Sequence, residues 1–382
     1  MLLRTVLTLS LLSPAHPAVP DARQVTPGAV WRPLAFGGAR GSVLEVDLRR
    51  ARLGLLRPPR VASRLTTSAM VRAAGALAGV NGDFFHISER QHPGVPATGA
   101  PVGPEVANGV PVKGPVPLGQ RYGPDLPAGA PADTVIGTDA AGRGRVFRLA
   151  LRGRVRIGGR RLPVAGLNQY ALPAGGVGVF TPAWGAASRA RAFCGDDRRR
   201  GADCTPDTAA VTVRGGRVTG LADPGGELPA GTVLLAGRED GAAPLRAARV
   251  GDPVAVSYRL AGRVRPRFAL GGLPVLRDGA PLGGLPDTPR RARTVAGVSA
   301  DGRRVYLAVV DGARGAGQGL SLAGAAALLR RLHADDGVAL DGGGSSTMVV
   351  RLPGEGAATV RNHPSDSRER PVANGIGVFA AR

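Results

Sequence analysis

The segment ALDGGGSSTMVV, residues 339–350, joins two apolar runs through one aspartate, three glycines, two serines and a threonine. The apolar residues before Asp341 are typical of a buried strand, and those after Thr347 predict a second strand. Glycines at such a joint either form a tight turn or leave backbone amides open to a ligand, because glycine has no side chain. The residues of this segment alone leave both interpretations open.

Three common glycine-rich motifs do not fit the segment. A P-loop needs a lysine before its final serine or threonine, and the segment has none. A nucleophile elbow needs glycine two residues after its serine, but Ser345 is followed by Ser346 and Thr347. A dinucleotide-binding fingerprint needs a helix after the glycines, whereas TMVVRL predicts a strand. What remains is an aspartate beside a concavity of backbone amides, which suits an anion or sugar hydroxyls.

The sequence around the segment predicts helices and paired strands. Residues 293–312 predict a hairpin that turns near Asp301-Gly302. Residues 321–337 predict a helix that Ser321 caps and Gly337 ends, and residues 66–79 predict another helix.

These elements favour the α+β class, with helices packed on a mixed sheet and an inserted all-β subdomain. The predicted insert is residues 141–270, where nearly all of the chain reads as strand. The predicted main domain is then split into residues 19–140 and 271–382.

The formal net charge of +22 does not by itself predict nucleic-acid binding. Lys113 is the only lysine among 50 basic residues, and the arginines are scattered along a chain rich in Ala, Gly and Pro, a pattern typical of GC-rich codons. Aromatic residues make up only 4%, so surfaces for base stacking are scarce. Affinity for anionic cell-surface polymers is the more ordinary consequence of this charge.

The N-terminus predicts export. Arg4 precedes an apolar run over residues 5–12, and small residues surround a cleavage point after Ala18, so residues 1–18 predict a signal peptide. The alternative, a buried first strand, is disfavoured by three nearby prolines. No later segment has the length of a transmembrane helix, so we expect a secreted or periplasmic protein without stable membrane insertion.

Cys194 and Cys204 bracket the polar segment GDDRRRGAD. In an exported chain, two nearby cysteines most simply form a disulfide. A metal site is not predicted there, because no further Cys or His lies close in the sequence. His86, Glu89 and His92 are also possible ligand types, but Pro93 breaks the helical spacing that would bring them together. No metal and no cofactor is therefore predicted.

Six segments occur in a characteristic order: VNGDFF, RTVAGV, VVDG, GLSLAGAAALL, ALDGGGSSTMVV and NHPSDSRERPVANGIGVF. As a set, from about residue 42 to 380, they resemble the phosphodiester glycosidase family. Its animal members uncover mannose 6-phosphate by removing an N-acetylglucosamine, and bacterial members are often labelled exopolysaccharide-associated. The resemblance implies hydrolysis of a sugar-1-phosphate diester, with a glycan phosphodiester as the partner and no nucleic acid.

That chemistry suggests a role for each polar residue type in the six segments. Cleavage of a glycosidic C–O bond usually needs two carboxylates, for which Asp341 and Asp83 are the candidates, with Asp366 a third acidic residue. Guanidinium groups match phosphate oxygens, and asparagine amides match sugar hydroxyls. The remaining substrate-binding candidates are Asn81, Arg293, Gly342, Gly343, Gly344, Ser345, Asn362, Arg370 and Asn374.

Structural and functional alternatives accompany this interpretation. Asp341 could instead hold the turn through an Asx bond, and Asn81-Gly82 is a natural turn pair. A non-catalytic polysaccharide-binding protein on the same fold is one functional alternative. A phosphodiesterase that cleaves P–O is another, although it would call for metal ligands. The sequence does not predict the sugar or the oligomeric state.

Overall fold

A computed structural model describes residues 21–221, 225–312 and 318–381. The predicted signal peptide, residues 1–18, lies outside these residues. Within them the chain forms four β-sheets and three α-helices, α1 (Thr67–Ala74), α2 (Ala242–Arg246) and α3 (Leu322–Arg331). None of the helices in the described ranges combines the length and apolar character needed to cross a membrane.

The central sheet has eight strands, and each neighbouring pair is antiparallel. In sheet order, its strands are β1 (Arg23–Thr26), β2 (Ala29–Phe36), β3 (Ala39–Asp47), β21 (Arg304–Val310), β20 (Arg293–Val298), β22 (Asp336–Ala339), β18 (Leu273–Arg277) and β19 (Ala280–Pro281).

The inner strands β20 and β21 of the central sheet are buried on both faces, to which successive side chains of a strand point in turn. Val295 and Ala308 join the apolar cluster that contains Leu329 of α3. Ala296 and Leu307 join a separate cluster on the opposite face. These two inner strands are therefore apolar at most positions, and β20 is buried throughout.

A five-stranded sheet packs its apolar residues into that second cluster. Its strands, in sheet order, are β24 (Thr359–Val360), β23 (Met348–Val350), β5 (Ala78–Asn81), β25 (Gly375–Ala380) and β4 (Ala51–Leu56). The chain passes from β22 of the central sheet into β23 of this one through residues 340–347, so the glycine-rich segment connects the two layers.

Two further sheets complete the described part of the chain. One comprises β14 (Arg217–Leu221), β13 (Thr208–Arg214), β15 (Thr232–Arg238), β12 (Val177–Phe180), β11 (Arg160–Leu167), β10 (Ala150–Ile157) and β16 (Val254–Ala261). The other comprises β7 (Val110–Lys113), β6 (Glu105–Ala107), β17 (Pro266–Gly271), β8 (Thr134–Asp139) and β9 (Gly144–Arg148). The boundaries of the predicted inserted subdomain stay a prediction.

The chain is mostly β, so the α+β class is only roughly right and the expected layer of packed helices is reduced to a few short ones. The central sheet is antiparallel and not mixed; β11–β12 is a parallel pair elsewhere. Helix α1 is shorter than predicted because Gly75 ends it in the left-handed conformation, at φ 64°. Ser321 caps α3 as predicted, but the helix ends at Leu332 and Gly337 lies within β22.

Candidate active site

Asp341 lies where the ends of β22 and β5 meet. Its backbone N–H donates to the carbonyl of Gly82 at 2.8 Å. Asn81 fixes this junction, because its Nδ2 donates to the Asp341 carbonyl at 2.7 Å while its Oδ1 accepts from Thr347 N at 3.0 Å and Thr294 Oγ1 at 2.6 Å. Asn81 is fully buried. Its side chain therefore serves the turn and does not face the cleft described below.

Each of the three glycines is favoured at its position for a different steric reason. A Cβ on Gly342 would lie 2.8 Å from a backbone oxygen of the adjacent strand segment. Gly343 has φ +60°, a conformation that side chains disfavour. A Cβ on Gly344 would lie 2.2 Å from both Arg370 Nη2 and Asp366 Oδ2. The segment is thus both a turn and a place where other groups approach the backbone closely.

A cleft of about 610 Å³ opens beside this turn. One part of its wall is polar, with Asp341, the three glycines and three arginines, and the rest is apolar. The lining residues are Phe84, Phe85, Ile87, Tyr122, Gly123, Pro124, Pro286, Thr288, Pro289, Arg291, Arg293, Leu322, Asp341, Gly342, Gly343, Gly344 and Arg370.

Arg293 is the most firmly held of the three arginines. Its Nε donates to the Leu320 carbonyl at 3.0 Å, and its Nη2 donates to the Pro289 carbonyl at 3.2 Å. Its Nη1 has no hydrogen-bond partner within the described ranges. Because the residue is only 6% exposed and lines the cleft, this remaining N–H edge is available to a ligand there.

Arg370 and Arg291 complete the cationic wall. Arg370 donates from Nε to Asp366 Oδ2 at 2.8 Å and from Nη1 to Ser345 Oγ at 3.4 Å. Arg291 is exposed, and its side chain makes no hydrogen bond or ion pair to any described residue. Sequence reasoning missed Arg291 because it began the strand at Arg293. The alternation of side chains along extended chain, which places residues i and i+2 on one side, is the signal that could have found it.

The Asp341 carboxyl group has a raised pKa. Burial raises its pKa to about 6, the nearby charge of Asp83 adds to this, and hydrogen bonds from Ser345 and from the Gly342 amide oppose it. The Gly342 N–H donates to Asp341 Oδ1 at 3.0 Å. A carboxyl group with such a pKa can exchange a proton at physiological pH, as a catalytic acid or base must.

The structure does not bring Asp83 into the cleft wall. This residue is 2% exposed, and its Oδ2 accepts from Gly103 N at 2.5 Å. Its backbone N–H donates to Asn374 Oδ1 at 2.8 Å, and Asn374 Nδ2 donates to Glu105 Oε1 at 2.7 Å. Burial raises the pKa of Asp83 to about 6, although the Gly103 amide and Lys113 oppose the shift. Asp83 and Asn374 thus belong to a buried polar cluster near Asp341.

Asn362 is also turned inward. Its Oδ1 accepts from Met348 N at 2.8 Å, and its Nδ2 donates to the Ser346 carbonyl at 3.0 Å. Of the candidate residues, the structure brings Asp341, Arg293, Arg370 and the glycines together around the cleft, with Ser345 and Asp366 against Arg370. The substrate-binding and catalytic roles assigned to all of them stay predictions.

The predicted disulfide between Cys194 and Cys204 is present. It closes a loop whose residue Arg200 contacts the ring of Tyr122, with the guanidinium carbon 4.5 Å from the ring centre. Tyr122 lines the cleft, so the disulfide-closed loop supports one of its walls.

Residues 207–379 match the family model for phosphodiester glycosidases. No curated protein matches the sequence. A hypothetical protein from Synechocystis has a similar structure, with 19% sequence identity and a TM-score of 0.69 over 95% of this chain. The alignment covers 64% of the Synechocystis chain, so this chain spans less than two thirds of that protein's length.

Two other solved structures are similar. A predicted exported protein from Burkholderia pseudomallei K96243 is 25% identical, with a TM-score of 0.67, and the match covers 93% of this chain and 76% of that one. The catalytic domain of zebrafish N-acetylglucosamine-1-phosphodiester alpha-N-acetylglucosaminidase, auto-inhibited by its pro-peptide, is 13% identical. Its TM-score is 0.43, and the match covers 96% of this chain and 86% of that one.

Proposed function

We propose that the chain, whose residues 207–379 match the family model for phosphodiester glycosidases, hydrolyses a sugar-1-phosphate diester. The substrate is a cell-surface or extracellular glycan, and the products are the free sugar and a phosphomonoester. The observation that supports this proposal is that Asp341 and three arginines line one cleft. A carboxyl group with a raised pKa and a cationic wall are what cleavage at a sugar–phosphate bond requires.

The arginines act on the phosphate. Arg293 offers its open N–H edge, and Arg291 and Arg370 add two further guanidinium groups, so the negative charge of the leaving phosphate is stabilised where it develops. A phosphate group leaves readily once it is so held. Protonation of the departing oxygen therefore contributes less than in an ordinary glycosidase.

Asp341 acts on the sugar side in its ionised form. Water adds its oxygen to the anomeric carbon, the bond from that carbon to the phosphate oxygen breaks, and the bonding electrons stay on the phosphate. The Asp341 carboxylate accepts the proton that the water loses. Asn81 and the glycine-rich turn position this carboxylate, while Asp83 influences its charge from behind the cleft wall.

Export is the second part of the proposal. The predicted signal peptide, the Cys194–Cys204 disulfide and the similarity to a predicted exported protein support it. An extracellular setting also agrees with a glycan substrate, because phosphate-containing polysaccharides are components of cell surfaces.

Incubation with a panel of sugar-1-phosphate diesters in ¹⁸O-labelled water tests the reaction. Cleavage of the C–O bond places the label in the released sugar, as we expect. Label in the phosphate would instead establish P–O cleavage, the phosphodiesterase alternative. Binding of several diesters without turnover of any would favour the non-catalytic polysaccharide-binding alternative.

A further inference from the structure

A second cleft lies next to the first and shares Tyr122 with it. Its volume is about 370 Å³, and it is lined by Ser88, Glu89, Arg90, Gln91, Tyr122 and Arg200. The Tyr122 hydroxyl forms a hydrogen bond with Ser88 Oγ at 2.8 Å, so this ring is fixed between the two clefts. A ligand that leaves the first cleft over Tyr122 therefore enters the second.

The second cleft is cationic, although Glu89 lies in its wall. The Glu89 side chain is fully buried, and its Oε2 accepts from Arg191 Nε at 2.5 Å. Burial would raise the pKa of Glu89, but Arg191, the Gln91 amide and Arg200 outweigh it and lower the pKa to about 2. Arg191 and Arg200 both pair with this carboxylate, and Arg90 also lines the cleft. One negative charge is therefore outnumbered by the three guanidinium groups in and behind the cleft wall.

The Arg200 guanidinium is held in a fixed position and keeps an N–H group that is unpartnered within the described ranges. Its guanidinium stacks on Tyr122, its side chain is 15% exposed, and its Nε is buried with no hydrogen-bond partner among the described residues. The loop that carries it is closed by the disulfide between Cys194 and Cys204. An N–H group that is buried without a partner costs free energy, and an anion that binds the guanidinium would remove that cost.

Arg90 adds a second guanidinium to the lining of this cleft. It is exposed and makes no hydrogen bond or ion pair with the described part of the chain. A fixed and an unengaged guanidinium around one small cleft suit the several oxygens of a phosphate group.

We infer that the second cleft binds a further phosphate group of the substrate, whose chemical class is a polymer of sugars joined by repeated phosphodiesters. The inference rests on the proposed function for the first cleft. In such a polymer each sugar is followed by another phosphate, so a chain cleaved beside Asp341 presents its next anion beyond Tyr122. A single isolated diester would leave the second cleft empty.

Calorimetric titration tests this without turnover, using α,ω-alkanediol bisphosphates with chains of four to twelve carbons. Each is compared with the alkyl monophosphate of the same length, which has one phosphate. We expect at least one bisphosphate to bind about 10-fold or more tightly than its matched monophosphate, because the second contact becomes intramolecular. In the double variant Arg90→Gln/Arg200→Gln this ratio should fall to about 1.

Arg198→Gln is the control for the charge lost from the disulfide-closed loop, since it removes one positive charge there, as Arg200→Gln does, but outside either cleft lining. The ratio should persist in it. Equal affinities for every matched pair, no binding of either ligand, or a ratio that persists in the double variant would overturn the inference. Failure of the proposed function is distinguishable, because it appears as absence of hydrolysis in the diester panel while the bisphosphate ratio is unaffected.

Discussion

A Cβ atom on Gly344 would lie 2.2 Å from Nη2 of Arg370. Arg370 can therefore occupy its place in the cleft wall only because residue 344 has no side chain. The Asp366 carboxylate approaches the same position and holds Arg370 from its other side. The glycine-rich turn is thus shaped by the ion pair that packs on it as well as by its own backbone.

Gly344→Ala should impair catalysis by displacing Arg370. The contact distance is far below any that a Cβ atom tolerates, so the guanidinium has to move away from the phosphate position. Loss of about one charge-assisted hydrogen bond corresponds to a fall of kcat/KM of roughly 10-fold or more. Gly356→Ala is the control, because a Cβ there meets nothing within 4 Å. Equal kcat/KM values for the two variants would mean that Arg370 does not contact the substrate.

Asp341→Asn distinguishes a catalytic role of Asp341 from a role in the turn alone. The substitution preserves shape and removes the charge, so turnover should drop at least ~100-fold, the scale of a lost acid or base. Asp203→Asn, at an exposed position without a hydrogen bond to the described residues, should turn over normally. A role in the turn alone predicts the reverse, namely a lower melting temperature with turnover per folded molecule intact. Kinetics and thermal unfolding on the same samples measure both quantities.

The raised pKa of Asp341 predicts opposite pH trends for activity and stability. Since the ionised form accepts the proton, kcat/KM should rise with pH and level off above about 6. The folded pKa lies above the ordinary value of 3.8, so this group stabilises the fold fully below about pH 4 and loses that contribution as pH rises through about 6.

Asp341→Asn has no ionisable group at this position, so it does not lose stability there as the pH rises. Relative to wild type, the variant should therefore gain stability between pH 4 and pH 8, by up to about 3 kcal/mol for a shift of about two pKa units. Urea unfolding of both proteins at the two pH values measures the difference. A variant whose stability relative to wild type falls between pH 4 and pH 8 would show that the carboxylate is stabilised, and not strained, in the fold.

Sequence reasoning predicted the two strands that flank the glycine-rich turn, but not the orientation of every side chain around it. The approach of Arg293 to Asp341 follows from strand order and was predictable. The inward position of Asp83 was not, because it depends on Gly103 and Gly271 leaving room for the carboxylate; a Cβ on Gly271 would lie 2.4 Å from Asp83 Oδ2.

The orientation of the asparagine side chains was likewise not predictable from the sequence. An amide that suits a sugar hydroxyl suits a backbone group equally well, and Asn81 and Asn374 bond to groups from strands far away in the sequence. Tyr122 was missed for a similar reason. Its place in the cleft wall depends on contacts with residues far away in the sequence, including Tyr170 and, on the disulfide-closed loop, Arg200.

Arg293→Lys should weaken binding of the phosphate group while the positive charge is kept. A lysine cannot donate to both the Leu320 and Pro289 carbonyls and still present a planar N–H edge to the cleft. We expect KM for the diester, and the inhibition constant of inorganic phosphate, to rise about 10-fold or more. Arg290→Lys, three residues earlier in the sequence and outside the cleft lining, is the control. Unchanged phosphate inhibition in Arg293→Lys would remove Arg293 from the phosphate site.

Lys113, the only lysine of the chain, is fully buried. Its Nζ donates to three backbone carbonyls, those of Val102, Gly103 and Gly114, at 3.0, 3.0 and 2.6 Å. Burial lowers its pKa to about 8, with the carboxylates of Glu105 and Asp83 opposing the shift. Lys113→Met would remove a buried positive charge that acts on both carboxylates, and the free energy of unfolding should fall by about 3–5 kcal/mol.

Acetylation of the native protein tests the same burial without a mutation. At pH 8 a large fraction of an amine with this pKa is neutral and nucleophilic, so only exclusion of the reagent can protect Lys113. Peptide mass analysis should find Lys113 unmodified in native protein and acetylated after denaturation in urea. Acetylation at the same rate in both would mean that the lysine is open to solvent and does not compensate the charges of Asp83 and Glu105 behind the cleft.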